Sequence, residues 1–190
     1  MKRSERFCSG LFQWDLTMSK NIEIKAHFDD LEEGRRKAQA IGARFFGKDH
    51  QVDTYFNVER GRLKLRASSL SGNFLIPYFR PDKYTAREAD YLLLPVKDSA
   101  SARDLLSRMF GIWLVVEKER EIYLWENVRI HLDRVKGLGN FLEFEAVVDD
   151  EHSIETCQEQ VQWFLKHFEI DRSNLIGESY SDLLQKQAEK

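Results

Sequence analysis

Cysteine is scarce: Cys8 and Cys157 are the two in 190 residues, far apart and without a neighbouring His or Cys ladder. Neither a disulfide framework nor zinc-ligand spacing is available, and a reducing, cytoplasmic location is the simpler expectation. No apolar run approaches the roughly 18 residues that a membrane-crossing helix needs. An excess of one charge is lacking too. With 29 Lys plus Arg against 32 Asp plus Glu, the net charge is −3, so bulk electrostatics point to neither a nucleic-acid duplex nor a membrane surface as partner. Internal repeats and low-complexity tracts are missing. Gly137 and Gly139 lack the strand-before, helix-after setting of a dinucleotide fingerprint and read as a turn.

What is present suits one domain with a sizeable core, since 42% of the residues are hydrophobic. Residues 1–19 read as an N-terminal extension. Lys2, Arg3 and Arg6 there are interrupted by Glu5 and Asp15, and the apolar stretch is too short for a secretory signal; the alternative location these basic residues suggest is mitochondrial. The domain is expected over 20–186.

Strict alternation begins at Asn21, with Ile22, Ile24, Ala26 and Phe28 on one face and Asn21, Glu23, Lys25 and His27 on the other. Asp29 and Asp30 are candidate caps for a helix over about 30–42, which Gly42 ends. Period-two segments follow at 51–58, 62–67 and 74–80, then a polar loop from Pro81 to Asp90 and a strand at 91–96. Asp98 or Ser99 caps a second helix that Gly111 closes. Strands at 113–125, 128–135 and 141–148 precede two helical stretches, one carrying Ile154, Cys157, Val161, Leu165 and Phe168, the other Leu183 and Leu184.

Several of these strands pair an aliphatic face with a face of mixed Lys, Arg and Glu. An antiparallel sheet with one wet side explains that pattern. So does a barrel whose charged faces close on one another, crowding Lys25, Lys64, Arg66, Arg80, Lys118 and Arg120 into one lumen with Glu23, Glu143 and Glu145. Such crowding calls for a polyanion to satisfy the basic groups, and for a hard divalent cation, Mg²⁺ or Mn²⁺, between phosphate and carboxylates.

The motifs that carry this pattern resemble the CYTH superfamily, the triphosphate tunnel metalloenzymes, which include class IV adenylyl cyclases, thiamine triphosphatases and inorganic triphosphatases. Asn21-Ile22-Glu23-Ile24-Lys25 looks like the family's Glu-x-Glu-x-Lys opening, with Asn21 where the first Glu is usual. The similarity continues through Gln51–Phe56, Gly61–Arg66, Tyr78–Asp82, Glu117–Arg120, His131–Asp133, Gly137–Gly139, Phe141–Glu145 and Ser179–Leu184, in consistent order. It implies an α+β fold, a closed antiparallel eight-stranded β tunnel with flanking helices. By position, the resemblance implies metal ligands at Glu23, Glu143 and Glu145. It implies a catalytic role for Glu23 and Lys25, and substrate contacts from Lys25, Lys64, Arg66, Arg80, Lys118, Arg120 and Asp133.

Arg62, Glu117, Glu119 and Glu121 are read as solvated outer-face charges, His27 and His131 as structural histidines, and Tyr55, Tyr180 and the tryptophans as packing or a polar handle rather than as base-stacking residues. The implied partner is a small-molecule triphosphate, and relatives of this type are often homodimers. Three readings stay open: hydrolysis of the terminal phosphate, cyclisation of ATP to cyclic AMP and pyrophosphate, and binding without catalysis.

Overall fold

The computed structural model describes residues 19–79 and 87–189. Among them, the elements in chain order are β1 (Ser19–His27), α1 (Leu31–Ala40), β2 (Arg44–Phe56), β3 (Arg62–Ser68), β4 (Phe74–Phe79), β5 (Arg87–Tyr91) and β6 (Leu94–Pro95). After these come α2 (Ser99–Phe110), β7 (Ile112–Trp125), β8 (Val128–Val135), β9 (Gly139–Val147), α3 (Ile154–His167), β10 (Leu175–Ile176) and α4 (Tyr180–Ala188).

The helix boundaries follow local chemistry. Asp30, Asp98 and Ser153 accept hydrogen bonds from the first-turn backbone N–H groups of α1, α2 and α3, and Ser179 and Asp182 form a reciprocal capping box on α4. Gly111 ends α2 at φ 72°, where a side chain would be strained.

All strand pairings are antiparallel, and they form a cycle. β1 pairs with β9 along Asn21–His27 on one edge, and with β5 and then β10 on the other. From β5 the pairing passes through β4, β3, β2, β7, β8 and β9 and so returns to β1. Among the described residues its thinnest seam joins β4 to β5 through Tyr78 with Tyr91 and Phe79 with Asp90. The eight-stranded antiparallel ring that the resemblance implies is therefore present, with β6 and β10 as short additions.

Outward faces supply the main core. Ile22 and Ile24 of β1, Ile130 and Leu132 of β8, and Leu142 and Phe144 of β9 pack with Val161, Phe164 and Phe168 at α3. Each such side chain stabilises the fold by about 1.5–3 kcal/mol on burial. α1 lies over β8 and β9, and α2 over β2 and β3. Because helices occupy the outside, Asn21, Glu23 and Lys25 are turned into the ring.

Three boundaries differ from the sequence expectation. β2 begins at Arg44 rather than at 51, with an extra residue, Phe46, bulged between the pairs Phe45–Tyr123 and Gly47–Ile122; the bulge breaks the period that sequence alternation relies on. The segment assigned to a loop contains β5, and the strand expected at 91–96 is split into β5 and β6. Arg87-Glu88-Ala89-Asp90-Tyr91 has no β-branched residue to mark it, and its partner β1 supplies the pairing instead.

Candidate functional site

Alternation on each strand decides what enters the ring. β9 places Glu143 opposite Lys25 of β1 on one side and His131 of β8 on the other. Lys25 Nζ lies 3.2 Å from one Glu143 oxygen, and Arg120 of β7 donates to the other at 2.5 Å. Arg120 also holds Asp133 through two bonds of 2.6 Å, a bidentate fork, and Tyr180 of α4 donates its hydroxyl to Asp133 at 2.7 Å. The Tyr180 ring is a cationic rest, with Lys25 Nζ 4.1 Å and Lys118 Nζ 5.2 Å from its centroid.

A second cluster forms around Asp53 of β2, which takes two 2.7 Å bonds from Arg66 and one of 3.0 Å from Lys64. A third surrounds Glu145, which accepts from Arg129 at 3.2 Å and from the Asn21 amide; Asn21 also donates to the Tyr91 hydroxyl at 3.0 Å. Glu23 stands directly across from Glu145 in the β1–β9 register. Between the Glu143 and Glu145 groups sits buried His131, its Nδ1 3.6 Å from Glu143 and its Nε2 3.8 Å from Glu145.

The electrostatics follow from crowding. Burial alone would raise the Asp53 carboxyl, yet Arg66 and Lys64 hold it well below the ordinary carboxylate range. Asp133 is likewise brought down to about 2 against the cost of burial, by Arg120 and Lys118. Glu143 is lowered by Lys25 and Arg120, again against burial. Burial, then Arg120, lowers His131. Lys118 is the exception to the pairing: 5% exposed, it makes no hydrogen bond or ion pair with any described residue. Burial and the adjacent Arg120 push it well below the usual lysine range.

The ring thus brings together Glu23, Lys25, Lys64, Arg66, Lys118, Arg120, Asp133, Glu143 and Glu145. Arg80 lies outside the described residues. Glu117, Glu119 and Glu121 face outward to Lys136 and His50, to Lys48, and to Arg35. Arg62 corrects the sequence expectation. It shares the inward face of Lys64 and Arg66 and binds Ser179 at 3.1 Å, Ser181 at 3.2 Å and Asp182 at 2.7 Å. Its parity with Lys64 was the available signal.

A family model, CYTH domain, matches residues 19–180. The chain belongs to the CYTH family. A Methanocaldococcus jannaschii protein described as a putative adenylate cyclase is 30% identical over 170 residues, spanning 85% of this chain and 97% of that one. Among solved structures, a Pyrococcus horikoshii protein is 28% identical with a TM-score of 0.76, covering 86% of this chain and 98% of its own. A Hippeastrum putative adenylyl cyclase, described as revealing a dominant triphosphatase activity, has a TM-score of 0.60 at 15% identity over 91% and 97% of the two chains. That likeness is one of fold.

For a CYTH chain, two buried features went unread in the sequence. Asp53 sits at even spacing from Gln51 and Tyr55, so its parity was visible, but nothing local announces that it neutralises Lys64 and Arg66. Tyr180, expected to pack or to serve as a polar handle, does the latter through its hydroxyl, but the sequence did not name Asp133 as the group it reaches. As for a metal, no three carboxylate, imidazole or thiol groups among the described residues are gathered into a ready-made set. The donor types nonetheless fit a hard divalent cation. Glu23 and Glu145 face each other across a strand pair, and the buried Asn21 Oδ1 beside them has no hydrogen-bond partner among the described residues.

Proposed function

We propose that this CYTH protein binds a triphosphate within the ring and, with a divalent cation, hydrolyses its terminal phosphate. The observation that carries the reading is Lys118, a buried lysine that no described residue holds in a hydrogen bond or close ion pair, facing the same interior as Lys64, Arg66 and Arg120. A group in that state is costly to charge unless an anion arrives, and phosphate oxygens are anions that Lys and Arg grip well. The other basic residues are held in place by carboxylates: Lys64 and Arg66 by Asp53, Arg120 by Asp133. Their side chains are therefore already oriented before phosphate enters.

In the hydrolytic reaction a water oxygen bonds to the terminal phosphorus as the bridging P–O bond breaks. Orthophosphate leaves on one side and the shortened polyphosphate on the other. Lys118, Arg120, Lys64 and Arg66 stabilise the charge that grows on the leaving oxygens. Lys25, fixed by Glu143 and the Tyr180 face, orients the attacking group. Glu23, Glu145 and the Asn21 carbonyl oxygen, with Glu143, would hold the cation, which when bound neutralises phosphate charge beside those carboxylates.

A second reading, cyclisation of ATP, draws on the archaeal relative's description and on Asp133 beside Arg120. Product analysis separates them. The protein is incubated with ATP, tripolyphosphate or thiamine triphosphate, each with Mg²⁺ or Mn²⁺ and with a chelator control. Orthophosphate in the metal arms is expected. Cyclic AMP with matching pyrophosphate would replace hydrolysis by cyclisation, and tight binding without turnover would leave a binding protein.

A further inference from the structure

At the end of the ring that α4 adjoins, the pairing of β2 with β7 slips by one residue. Tyr55 pairs with Leu114, but Phe56 pairs with Ile112, which leaves Trp113 as the extra residue of a β-bulge. Bulges re-aim side chains, and they recur beside active sites. Val115 and Glu117, two and four positions on, face outward, so unbroken alternation would send Trp113 out as well. The bulge instead turns its ring toward the inward-facing residues. It meets Tyr55 edge-on, with centroids 5.9 Å apart at 89°, and the Arg62 guanidinium lies 5.4 Å from its centroid.

Trp113, Tyr55 and Arg62 line a cleft of about 250 Å³ together with Asn57, Gly61 and Leu63. That volume lies under the ~300–1,000 Å³ typical of pockets for whole drug-sized ligands, and suits one planar ring system rather than an entire nucleotide. Gly61, at φ 69° against the Phe79 ring and the Tyr78 carbonyl, makes the turn at the edge of the cleft that a side chain would strain. Arg62, on the wall of the cleft, and Lys64, in the basic interior, are successive inward residues of β3, about 7 Å apart along the strand.

We propose that this cleft is a subsite for the planar aromatic ring of an organic triphosphate, with Trp113 as its stacking platform and Arg62 and Asn57 as its polar contacts. The proposal rests on the triphosphate reading and adds a substrate class to it. An aromatic ring seated at Trp113 leaves its phosphate chain directed along Lys64 and Arg66. The preferred substrate is then a nucleotide or thiamine-like triphosphate rather than the inorganic chain.

Calorimetric titration of the full chain with tripolyphosphate, ATP and thiamine triphosphate, with Mg²⁺ and separately with EDTA, tests this. One organic triphosphate is expected to bind about tenfold tighter than tripolyphosphate, as stacking on an aromatic side chain provides; which one does so identifies the ring. Trp113→Ala should erase that advantage while tripolyphosphate affinity stays within about twofold, and Trp113→Phe should keep most of it. Equal affinities in the unaltered protein would overturn the subsite without any variant. So would a Trp113→Ala loss shared equally by tripolyphosphate. Binding of none of the three would remove the triphosphate reading as well.

Discussion

Burial and Arg120 depress Lys118, so the folded protein binds fewer protons there than the unfolded chain, whose lysines titrate near 10.4. Stability of the unliganded protein should therefore rise with pH toward about 10.4, and Lys118→Met should flatten that rise. The same substitution is expected to raise the melting temperature by about 2–4 °C, on the order of 1 kcal/mol, while abolishing tripolyphosphate binding. Thermal melts at two pH values and one titration check both. Asp53 and Asp133 give a slope of the same sign in their own pH range, but a gain at neutral pH where Lys118 gives a cost. Their depressed carboxyls contribute stability above the unfolded value near 3.9, and Asp133's contribution is lost as pH falls through about 2. Asp53→Asn breaks a buried pairing and should cost about 3–5 kcal/mol, with tripolyphosphate restoring more stability to the variant than to the parent. An equal ligand effect on both proteins would count against phosphate sitting at Lys64 and Arg66. Parity alone places Lys25, Lys118 and Glu143 on inward faces. It is silent on who neutralises whom, because the partners of Arg120 and Arg66 come from other strands, brought alongside only by pairing.

Elements were legible where period and punctuation agree. Val128–Val135 alternates without interruption and is β8 from end to end, and Asp98 and Gly111 bracket α2 as their chemistry predicts. Where the ladder is irregular the pattern fails. Phe46 is bulged out of β2, and Trp113 out of β7, so that outward parity misassigns what the backbone has turned inward. α4 shows how a short helix fixes a lumen residue. Ser179 caps it, binds Arg62 and precedes Tyr180, whose hydroxyl reaches Asp133. Ser179→Ala should cost about 1 kcal/mol, read as a lowered denaturation midpoint. It should also weaken substrate binding through the loosened Tyr180, an effect that Ser179→Asp, which still caps, should largely avoid.

For the whole molecule, a ring of opposed charges predicts that a filled lumen is the stable one. Tripolyphosphate with Mg²⁺ at a hundred times its dissociation constant should add about 2.7 kcal/mol. Differential scanning fluorimetry should show the rise, and a chelator should reduce it. An unchanged melting temperature at saturating ligand would contradict a lumen site. The closed ring also constrains how the chain comes to be folded during its synthesis. Of the described strands β1 leaves the ribosome earliest, yet its edge partner β9 lies far behind it: Asn21 and Glu145, which touch in the finished ring, are 124 residues apart. At about 5–20 residues per second, β1 waits some 6–25 s for that partner. Throughout that interval its Ile22, Ile24 and Ala26 face is uncovered, so the opening strand of the binding site is also the segment most dependent on protection before translation ends.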